Sequence, residues 1–206
     1  MSPFYLAGAL VLCYLIGSIP TSLLVSRLVK GIDLRQHGSK NVGATNLYRV
    51  LGWRWAVPVG LFDMAKGYVP AAIVGPAVAD GVLIPLLCGV AAVLGHMFSP
   101  FVGFKGGKGV ATGAGVVLAM APLAFLGAFG IWALLVFLTG YVSLGSVVAA
   151  ASLPLLTVWL YPGRPAVLWI TAALGALVVW MHRGNIGRLL KGTESRFGRN
   201  AKETGS

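Results

Sequence analysis

Acidic residues are scarce in this chain: only five of its 206 residues are Asp or Glu, against 16 Lys and Arg. Charged residues make up 10% of the sequence, whereas soluble domains carry about 25%. Two cysteines and three histidines are too few for a disulfide framework or a zinc cluster. The scarcity of charge argues against a soluble fold, and the sequence indicates neither a metal nor a cofactor.

Hydrophobic residues account for 57% of the chain, and the mean hydropathy is +0.85. A transmembrane helix needs roughly 20 apolar residues. One run is too long for a single span, and Pro122 in its interior favours a break into two helices. We therefore expect an all-α integral membrane protein, a compact bundle of about seven transmembrane helices. The apolar runs are 4–26, 55–79, 82–100, 110–140, 143–161 and 165–181.

The basic residues cluster at the ends of these runs. Six of the 16 lie in 27–54, two in the loop after the third run, and six in 183–202. By the positive-inside rule, seven spans put these regions in the cytoplasm and the N-terminus outside. No basic residue precedes the first run, so we read it as a retained helix rather than a signal peptide. We expect one membrane domain over 1–197 and a disordered hydrophilic tail over 198–206.

The net charge of +11 raises the question of nucleic acid. Because the basic residues flank apolar runs, attraction to anionic lipid headgroups explains them more simply. We therefore expect a lipid bilayer as the partner and no nucleic acid.

The first of three polar regions on the predicted cytoplasmic side spans 38–49, GSKNVGATNLYR. Gly38, Ser39 and Asn41 predict a turn and a helix cap, after which Thr45 and Arg49 share one helical face. The planar guanidinium of Arg49 suits a phosphate. An interfacial helix that touches lipid headgroups fits the residue types equally well, so both interpretations stay open.

The second polar region, at 101–109, reads FVGFKGGKG. Its glycines let backbone N–H groups turn toward an anion, and Lys105 and Lys108 add positive charge. A helix that begins near Gly109 would aim its positive end at the same point. The spacing is not that of a Walker A loop. A flexible cytoplasmic loop explains the lysines but not the glycines, so we favour a metal-free phosphate site.

The third polar region follows the last apolar run. His182 and Asn185 lie three residues apart, so on a continuing helix they would share a face and could point at one ligand. A lone interfacial histidine is more often a snorkelling polar residue. Glu194 lies in a strongly basic segment, where a salt bridge with Arg188 or Arg196 is its default role.

Two opposite charges, Asp63 and Lys66, lie three residues apart inside the second apolar run. Charges within a membrane span are costly unless they are paired or face a polar cavity. A structural ion pair and a direct role at the site are both compatible with this spacing.

Taken together, the three regions resemble the acyl-phosphate-dependent glycerol-3-phosphate acyltransferases of bacteria, the PlsY family. The likeness rests on GSKNVGATN at 38–46 with Arg49, on GHM at 95–97 with GFKGGKGVAT at 103–112, and on HRGN at 182–185. It continues through LFDMAKG at 61–67. The resemblance implies a compact seven-helix protein of the bacterial inner membrane, with all three motifs on the cytoplasmic side.

The resemblance also implies a reaction. The 1-hydroxyl of sn-glycerol 3-phosphate attacks the carbonyl of a fatty acyl phosphate, giving lysophosphatidic acid and inorganic phosphate in the first step of phospholipid synthesis. The expected partners are these two substrates, the bilayer and the soluble enzyme that makes acyl phosphate. The family motifs imply catalytic roles for Ser39, Arg49, Lys105, His182 and Asn185. They imply substrate binding by Asn41, Thr45, Asn46, Gly103, Gly106, Gly107, Lys108, Gly109 and Glu194.

Within this reaction, we expect the lysines of the second region and the amides of 106–109 to hold one phosphate, and Ser39 and Arg49 to hold the other. His182 and Asn185 would orient the hydroxyl or the carbonyl oxygen. His182 is our candidate general base, and deprotonation by a substrate phosphate is equally compatible with the residues present. Covalent catalysis by Ser39 is less favoured than direct transfer.

One position departs from the family pattern, because Gly184 stands where many members carry an acidic residue. A transporter for a phosphate-bearing solute is the alternative function, since basic glycine loops between spans also line anion pathways. Across 113–156, however, serine and threonine occur only at Thr139, Ser143, Ser146 and Ser152. We see no polar pathway through the bilayer, and we favour the acyltransferase.

Overall fold

The structure is a computed structural model that describes residues 3–197 of the 206-residue chain. All regular structure in this range is helical, as predicted. The helices are α1 (Pro3–Ser18), α2 (Thr21–Lys30), α3 (Ala44–Leu51), α4 (Trp53–Val69), α5 (Gly75–Val78), α6 (Leu83–Met97), α7 (Val110–Met120), α8 (Pro122–Thr139), α9 (Val142–Leu160), α10 (Pro165–Met181) and α11 (Arg183–Leu190). Short 3₁₀ turns lie at Leu34–Gln36 and Pro100–Val102, and the π-helical segment Pro70–Val74 joins α4 to α5. The predicted tail over 198–206 lies outside the described residues.

Internal contacts divide the chain into two compact units, one ending at Met120 and the other beginning at Ala121. The first unit contains α1 to α7, and the second contains α8 to α11. The division coincides with the predicted break, since α7 ends at Met120 and α8 begins at Pro122. The single domain expected over 1–197 stays a prediction.

The helices are long and apolar enough for an integral membrane protein. Five stretches within residues 3–197 could cross a bilayer by length and composition: Pro3–Lys30, Trp53–Val78, Leu83–Val102, Pro122–Thr139 and Val142–Leu160. A sixth arises if α10 and α11, which are bent by 57° relative to each other, count as one span. The apolar α7 has 11 residues, which is about 16 Å of helix against a hydrocarbon core of about 30 Å. The total of seven spans therefore stays a prediction.

The sequence predicts one uninterrupted helix for the first apolar run, but the structure shows a break in it. α1 ends at Ser18, and α2 begins at Thr21 after Pro20. The proline nitrogen carries no hydrogen and cannot continue the helical ladder. The resulting break leaves polar backbone groups at 18–20 that other parts of the first unit must satisfy.

Helices of the first unit approach each other closely at glycines. A side-chain carbon at Gly17 would lie 1.9 Å from the carbonyl oxygen of Ala92, and one at Gly95 would lie 2.0 Å from that of Tyr14. α1 and α6 are therefore in backbone contact at two levels. Glycine pairs of this kind drive helix packing in membranes, where burial of apolar surface supplies little. The contact holds the C-terminal end of α6, from which the glycine-rich loop departs.

In the second unit, α9 and α10 pack in the same manner. A side-chain carbon at Gly175 would lie 2.5 Å from the carbonyl oxygen of Ala150. The hydroxyls of Thr157 and Thr171, both buried, lie 3.1 Å apart between these two helices. This packing places the C-terminal end of α10, where the third polar region begins.

Candidate active site

The loop that precedes α3 is organised by Asn46, a side chain that is 1% exposed. Its amide nitrogen donates to the carbonyls of Leu34, His37 and Asn41 at 3.3, 3.0 and 2.9 Å. Its oxygen accepts from the backbone N–H of Ser39 at 2.7 Å. Both ends of the side chain are committed to the loop. These bonds give Asn46 a structural role in the loop, and its contact with substrate stays a prediction.

The predicted helix cap is wrong. α3 begins at Ala44, its N-cap is Gly43, and no side chain caps it. Residues 38–41 instead form the loop around Asn46. Gly38 has a φ of +58°, and a side-chain carbon there would lie 2.3 Å from Asn46 Oδ1, so only glycine fits this position.

The predicted pairing of Thr45 and Arg49 on one helical face is confirmed, because both lie in α3, one turn apart. The side chains of Ser39 and Arg49 are exposed, and that of Thr45 is half-buried. The first polar region therefore presents a hydroxyl and a guanidinium at its surface above a buried amide that shapes the loop.

The glycine-rich loop folds back onto the end of α6. The N–H of Gly106 donates to the carbonyl of Met97 at 2.9 Å, and the N–H of Gly107 donates to the carbonyl of His96 at 3.0 Å. Carbonyls in the last turn of a helix lack partners within the helix, and the loop supplies them. These two amides are therefore already used, which corrects the prediction that all the amides of 106–109 bind a phosphate.

The cationic groups of the loop remain well placed for an anion. The side chain of Lys105 is exposed, and its ammonium has no hydrogen-bond or ion-pair partner within the described range 3–197. Lys108 is half-buried. α7 begins at Val110, directly after Gly109 with its φ of +74°, which confirms the predicted helix start. The first-turn amides of α7 and the two lysines thus provide the positive charge.

A small cleft in the first unit brings parts of the first and second polar regions together. It has room for about one water molecule. Its lining includes Ser18, Thr21, Val42, His96, Gly106 and Gly107. His96 lies in the GHM segment of the second motif, but a single histidine in an apolar helix carries little signal, and its sequence context predicts no site role.

The buried pair Asp63 and Lys66 lies beside the helix break next to this cleft. Lys66 Nζ lies 2.7 Å from Asp63 Oδ1, and the side chains are 2% and 3% exposed, so the predicted ion pair is confirmed. The same ammonium donates to the carbonyl of Ile19 at 2.7 Å and to the hydroxyl of Thr21 at 3.3 Å. Lys66 therefore satisfies backbone that the break at Pro20 leaves open.

The third polar region belongs to the second unit and starts at a bend. α10 ends at Met181 and α11 begins at Arg183, with a bend of 57° between them. The continuing helix considered for His182 and Asn185 is therefore not observed. His182 is 3% exposed, and its Nδ1 lies 2.8 Å from the carbonyl of Val178. A carbonyl only accepts, so Nδ1 donates to it, and in the neutral tautomer with this bond Nε2 is the basic nitrogen.

Asn185 is held by Glu194, which lies 8% exposed in the segment after α11. Glu194 Oε1 accepts from Asn185 Nδ2 at 2.6 Å and from Ser143 Oγ at 2.8 Å. Its other oxygen accepts from Arg188 Nε at 2.7 Å. The expected salt bridge with Arg188 is confirmed, and the carboxylate also holds Asn185. Binding of substrate by Glu194 stays a prediction.

Burial of the Glu194 carboxyl opposes its ionisation, but hydrogen bonds from Asn185, Ser143 and Arg188 outweigh that effect. The pKa of Glu194 therefore lies below its ordinary value. Ser143 was missed as a member of this cluster. It lies 51 residues before Glu194 in the sequence, and no local pattern links the two.

Among residues 3–197, no group of three or more His, Cys, Asp or Glu side chains is arranged to hold a metal ion. Within the first unit, the cations and hydroxyls of the first two polar regions can bind phosphate groups. Within the second unit, His182 and Asn185 can polarise or deprotonate a hydroxyl.

Comparison with known proteins finds the same regions in one family. The glycerol-3-phosphate acyltransferase family model matches residues 7–192. A glycerol-3-phosphate acyltransferase of Trichlorobacter lovleyi is 46% identical, with 94% of this chain and 96% of that protein covered. Glycerol-3-phosphate acyltransferase 2 of Moorella thermoacetica is 48% identical over 92% of this chain and 96% of its own length.

Two crystal structures of PlsY (YgiH), an integral membrane glycerol 3-phosphate acyltransferase, are also similar. The glycerol 3-phosphate form is 43% identical with a TM-score of 0.86, and it covers 94% of this chain and 96% of its own. The lysophosphatidic acid form is 41% identical with a TM-score of 0.85, at 94% and 95% coverage.

Proposed function

This chain belongs to the glycerol-3-phosphate acyltransferase family, and on that premise we propose that it acylates the 1-hydroxyl of sn-glycerol 3-phosphate with a fatty acyl phosphate. The products are lysophosphatidic acid and inorganic phosphate. The observation that carries the proposal is the family match over residues 7–192, which includes the first two polar regions and, from the third, His182 and Asn185. The protein is accordingly an integral membrane acyltransferase of phospholipid synthesis.

In the proposed reaction, the hydroxyl oxygen forms a bond to the acyl carbonyl carbon, and the bond from that carbon to the phosphate oxygen breaks. The electron pair leaves on phosphate, which is a good leaving group and needs little help from an acid. What the protein must supply is positioning of two anionic substrates and stabilisation of charge on the carbonyl oxygen. Cations and amide groups at the ends of apolar helices are suited to both tasks.

We assign one phosphate to Lys105, Lys108 and the start of α7, and the other to Ser39 and Arg49. The exposed ammonium of Lys105 and the exposed guanidinium of Arg49 support this assignment, because a ligand can reach both. The loop amides of Gly106 and Gly107 shape the site without binding the ligand, since both donate to the end of α6.

The proposed roles of His182 and Asn185 concern the reacting hydroxyl. His182 Nδ1 donates to the Val178 carbonyl, which supports Nε2 as the proton acceptor. Asn185, held by Glu194, would donate from a fixed position to the developing negative oxygen. The alternative is that a phosphate oxygen of a substrate removes the proton and His182 only orients the hydroxyl.

We place the enzyme in the bacterial inner membrane with the N-terminus outside and the reaction on the cytoplasmic side. The clustering of 14 of the 16 basic residues in the three predicted cytoplasmic regions supports this orientation. A soluble enzyme that makes acyl phosphate is the expected source of the donor.

The test is phosphate release by the purified, detergent-solubilised protein given palmitoyl phosphate, with and without glycerol 3-phosphate and without added metal. We expect release that depends on glycerol 3-phosphate and equals the lysophosphatidic acid formed. If the folded protein gives no turnover but moves labelled glycerol 3-phosphate across vesicle membranes, that result would refute the acyltransferase and favour the transporter. Turnover with acyl-CoA but not with palmitoyl phosphate would refute the proposed donor.

A further inference from the structure

Two adjacent glycines of the loop are crowded by different parts of the same histidine. A side-chain carbon at Gly107 would lie 2.1 Å from His96 Nε2 and 3.0 Å from its Cδ2 and Cε1, all atoms of the imidazole ring. One at Gly106 would instead lie 2.0 Å from the backbone oxygen of His96 and 2.8 Å from that of Met97. The ring therefore fills the space beside Gly107, and backbone fills the space beside Gly106.

The loop is fastened to α6 at this same point. Both amides donate to the carbonyls of residues 96 and 97, so Gly106 and Gly107 cannot move away from the ring without losing two hydrogen bonds. Neither glycine has a positive φ. Their lack of a side chain is therefore required by space and not by backbone conformation.

The imidazole of His96 lies within electrostatic range of the buried pair Asp63 and Lys66 but forms no hydrogen bond with either. It is half-buried, it lines the cleft, and none of the hydrogen bonds of the described residues involves its ring. Nearby hydroxyls are used elsewhere: Ser99 Oγ donates to the carbonyl of Ser18, and Ser18 Oγ donates to that of Tyr14. What the ring does contact is the backbone of the loop that carries the two lysines.

We propose that His96 is a positioning residue for the glycine-rich loop: its imidazole ring is the surface on which Gly107 lies, and it thereby sets where Lys105 and Lys108 stand at the start of α7. The inference rests on the proposed function, in which these lysines hold a substrate phosphate. A loop displaced by about 1 Å costs on the order of 100-fold in rate when the groups it carries must meet a reacting substrate.

The experiment is a pair of matched double-mutant cycles, Gly107→Ala with His96→Ala and Gly106→Ala with His96→Ala. Gly107→Ala should lower kcat/KM roughly 100-fold, mostly through a higher KM for glycerol 3-phosphate. His96→Ala alone removes the surface on which the loop lies and should also raise this KM. In the double variant the new methyl no longer meets the ring, so kcat/KM should be about tenfold higher than in Gly107→Ala, within the range for residues in contact. Gly106→Ala should not recover with His96→Ala, because its obstacle is backbone.

A second readout needs no substrate. Hydrogen exchange of a peptide covering 101–109 should be faster in Gly107→Ala than in the wild type, and slower again in the Gly107→Ala/His96→Ala double variant. If wild-type protein does not turn over palmitoyl phosphate, the proposed function fails while the exchange data still decide the inference. No recovery for Gly107→Ala, or equal recovery for both glycines, in the exchange data would overturn it.

Discussion

Asn185 and Glu194 are joined by a 2.6 Å hydrogen bond in which the buried carboxylate receives the side-chain amide. The same carboxylate also accepts hydrogen bonds from Ser143 and Arg188, so its two oxygens accept from three donors. An asparagine held in this way loses rotamer freedom before substrate arrives. The cluster is therefore a support for the residue that we propose to contact the reacting oxygen, and it accounts for an acid in a strongly basic segment.

Replacing Glu194 with Gln tests this support. The variant keeps the volume but loses the charge, and its NH₂ group must face either Arg188 or the pair Asn185 and Ser143, so at least one of the three hydrogen bonds is lost. We expect a clear fall in kcat and a loss of about 1–3 kcal/mol in unfolding free energy. Ser143→Ala removes a single donor and is the milder control. Thermal unfolding in detergent and initial rates measure both effects, and equal rates for the two variants would contradict the supporting role.

The pH dependence of stability follows from the same carboxylate. Because the pKa of Glu194 is held below its ordinary value of 4.5, the folded state binds fewer protons than the unfolded state in that range. Its stabilisation is fully present above pH 4.5 and disappears as the pH falls through the folded-state pKa. The melting temperature of the wild type should drop on acidification more steeply than that of Glu194→Gln. Parallel curves would contradict the assignment.

Lys105→Ala should raise the KM for glycerol 3-phosphate. The exposed ammonium is proposed to contact a phosphate, and a hydrogen bond between charged groups contributes about 1.5–3 kcal/mol, so an increase of roughly tenfold or more is expected. Lys30→Ala is the matched control, because Lys30 is also exposed but donates to the carbonyl of Val50. An unchanged KM for Lys105→Ala would remove this loop from the acceptor site.

His182→Gln separates the two routes of proton removal. A general base contributes about 100-fold or more, so loss of Nε2 should lower kcat by at least that factor and remove the acidic limb of the pH profile. The measurement is kcat against pH with saturating substrates. A retained rate and an unchanged profile would instead assign deprotonation to a substrate phosphate.

Lys66→Met should destabilise the protein by roughly 3–5 kcal/mol, because it leaves Asp63 charged and buried without its partner. It also removes the donor to the Ile19 carbonyl at the helix break. The double variant Asp63→Leu/Lys66→Met should lose less stability than the single one. Melting temperatures of the three proteins test this order, and a single variant as stable as the double one would show that the pair does not act as a unit.

Features that depend on neighbours in the sequence were predictable. Pro122 starts α8 after the break at Ala121, because a nitrogen without a hydrogen suits the first position of a helix. Asp63 and Lys66 pair because a helix brings residues three apart onto one face. The helix start after Gly109 follows from the glycine and the apolar run behind it.

Features that depend on contacts between segments distant in the sequence were not predictable. The glycines at 106 and 107 signalled backbone amides free to bind an anion, yet the loop turns back to α6 and uses both. Asn46 resembled a ligand-binding side chain, yet it folds its own loop. No proline lies at the bend at His182, so the sequence predicts that α10 continues there.

By itself, the sequence determined that this is a helical membrane protein of a glycerolipid acyltransferase family. The lengths of the apolar runs and the order of the three polar motifs can be read without knowing how the chain folds. Tertiary structure alone decided which polar groups remain open to a ligand. A polar group that is already hydrogen-bonded within the protein is less available to a ligand, and its partner can lie 51 residues away, as Ser143 does from Glu194. Only the folded chain shows that Lys105 stays available while Gly106, Gly107 and Asn46 are already engaged.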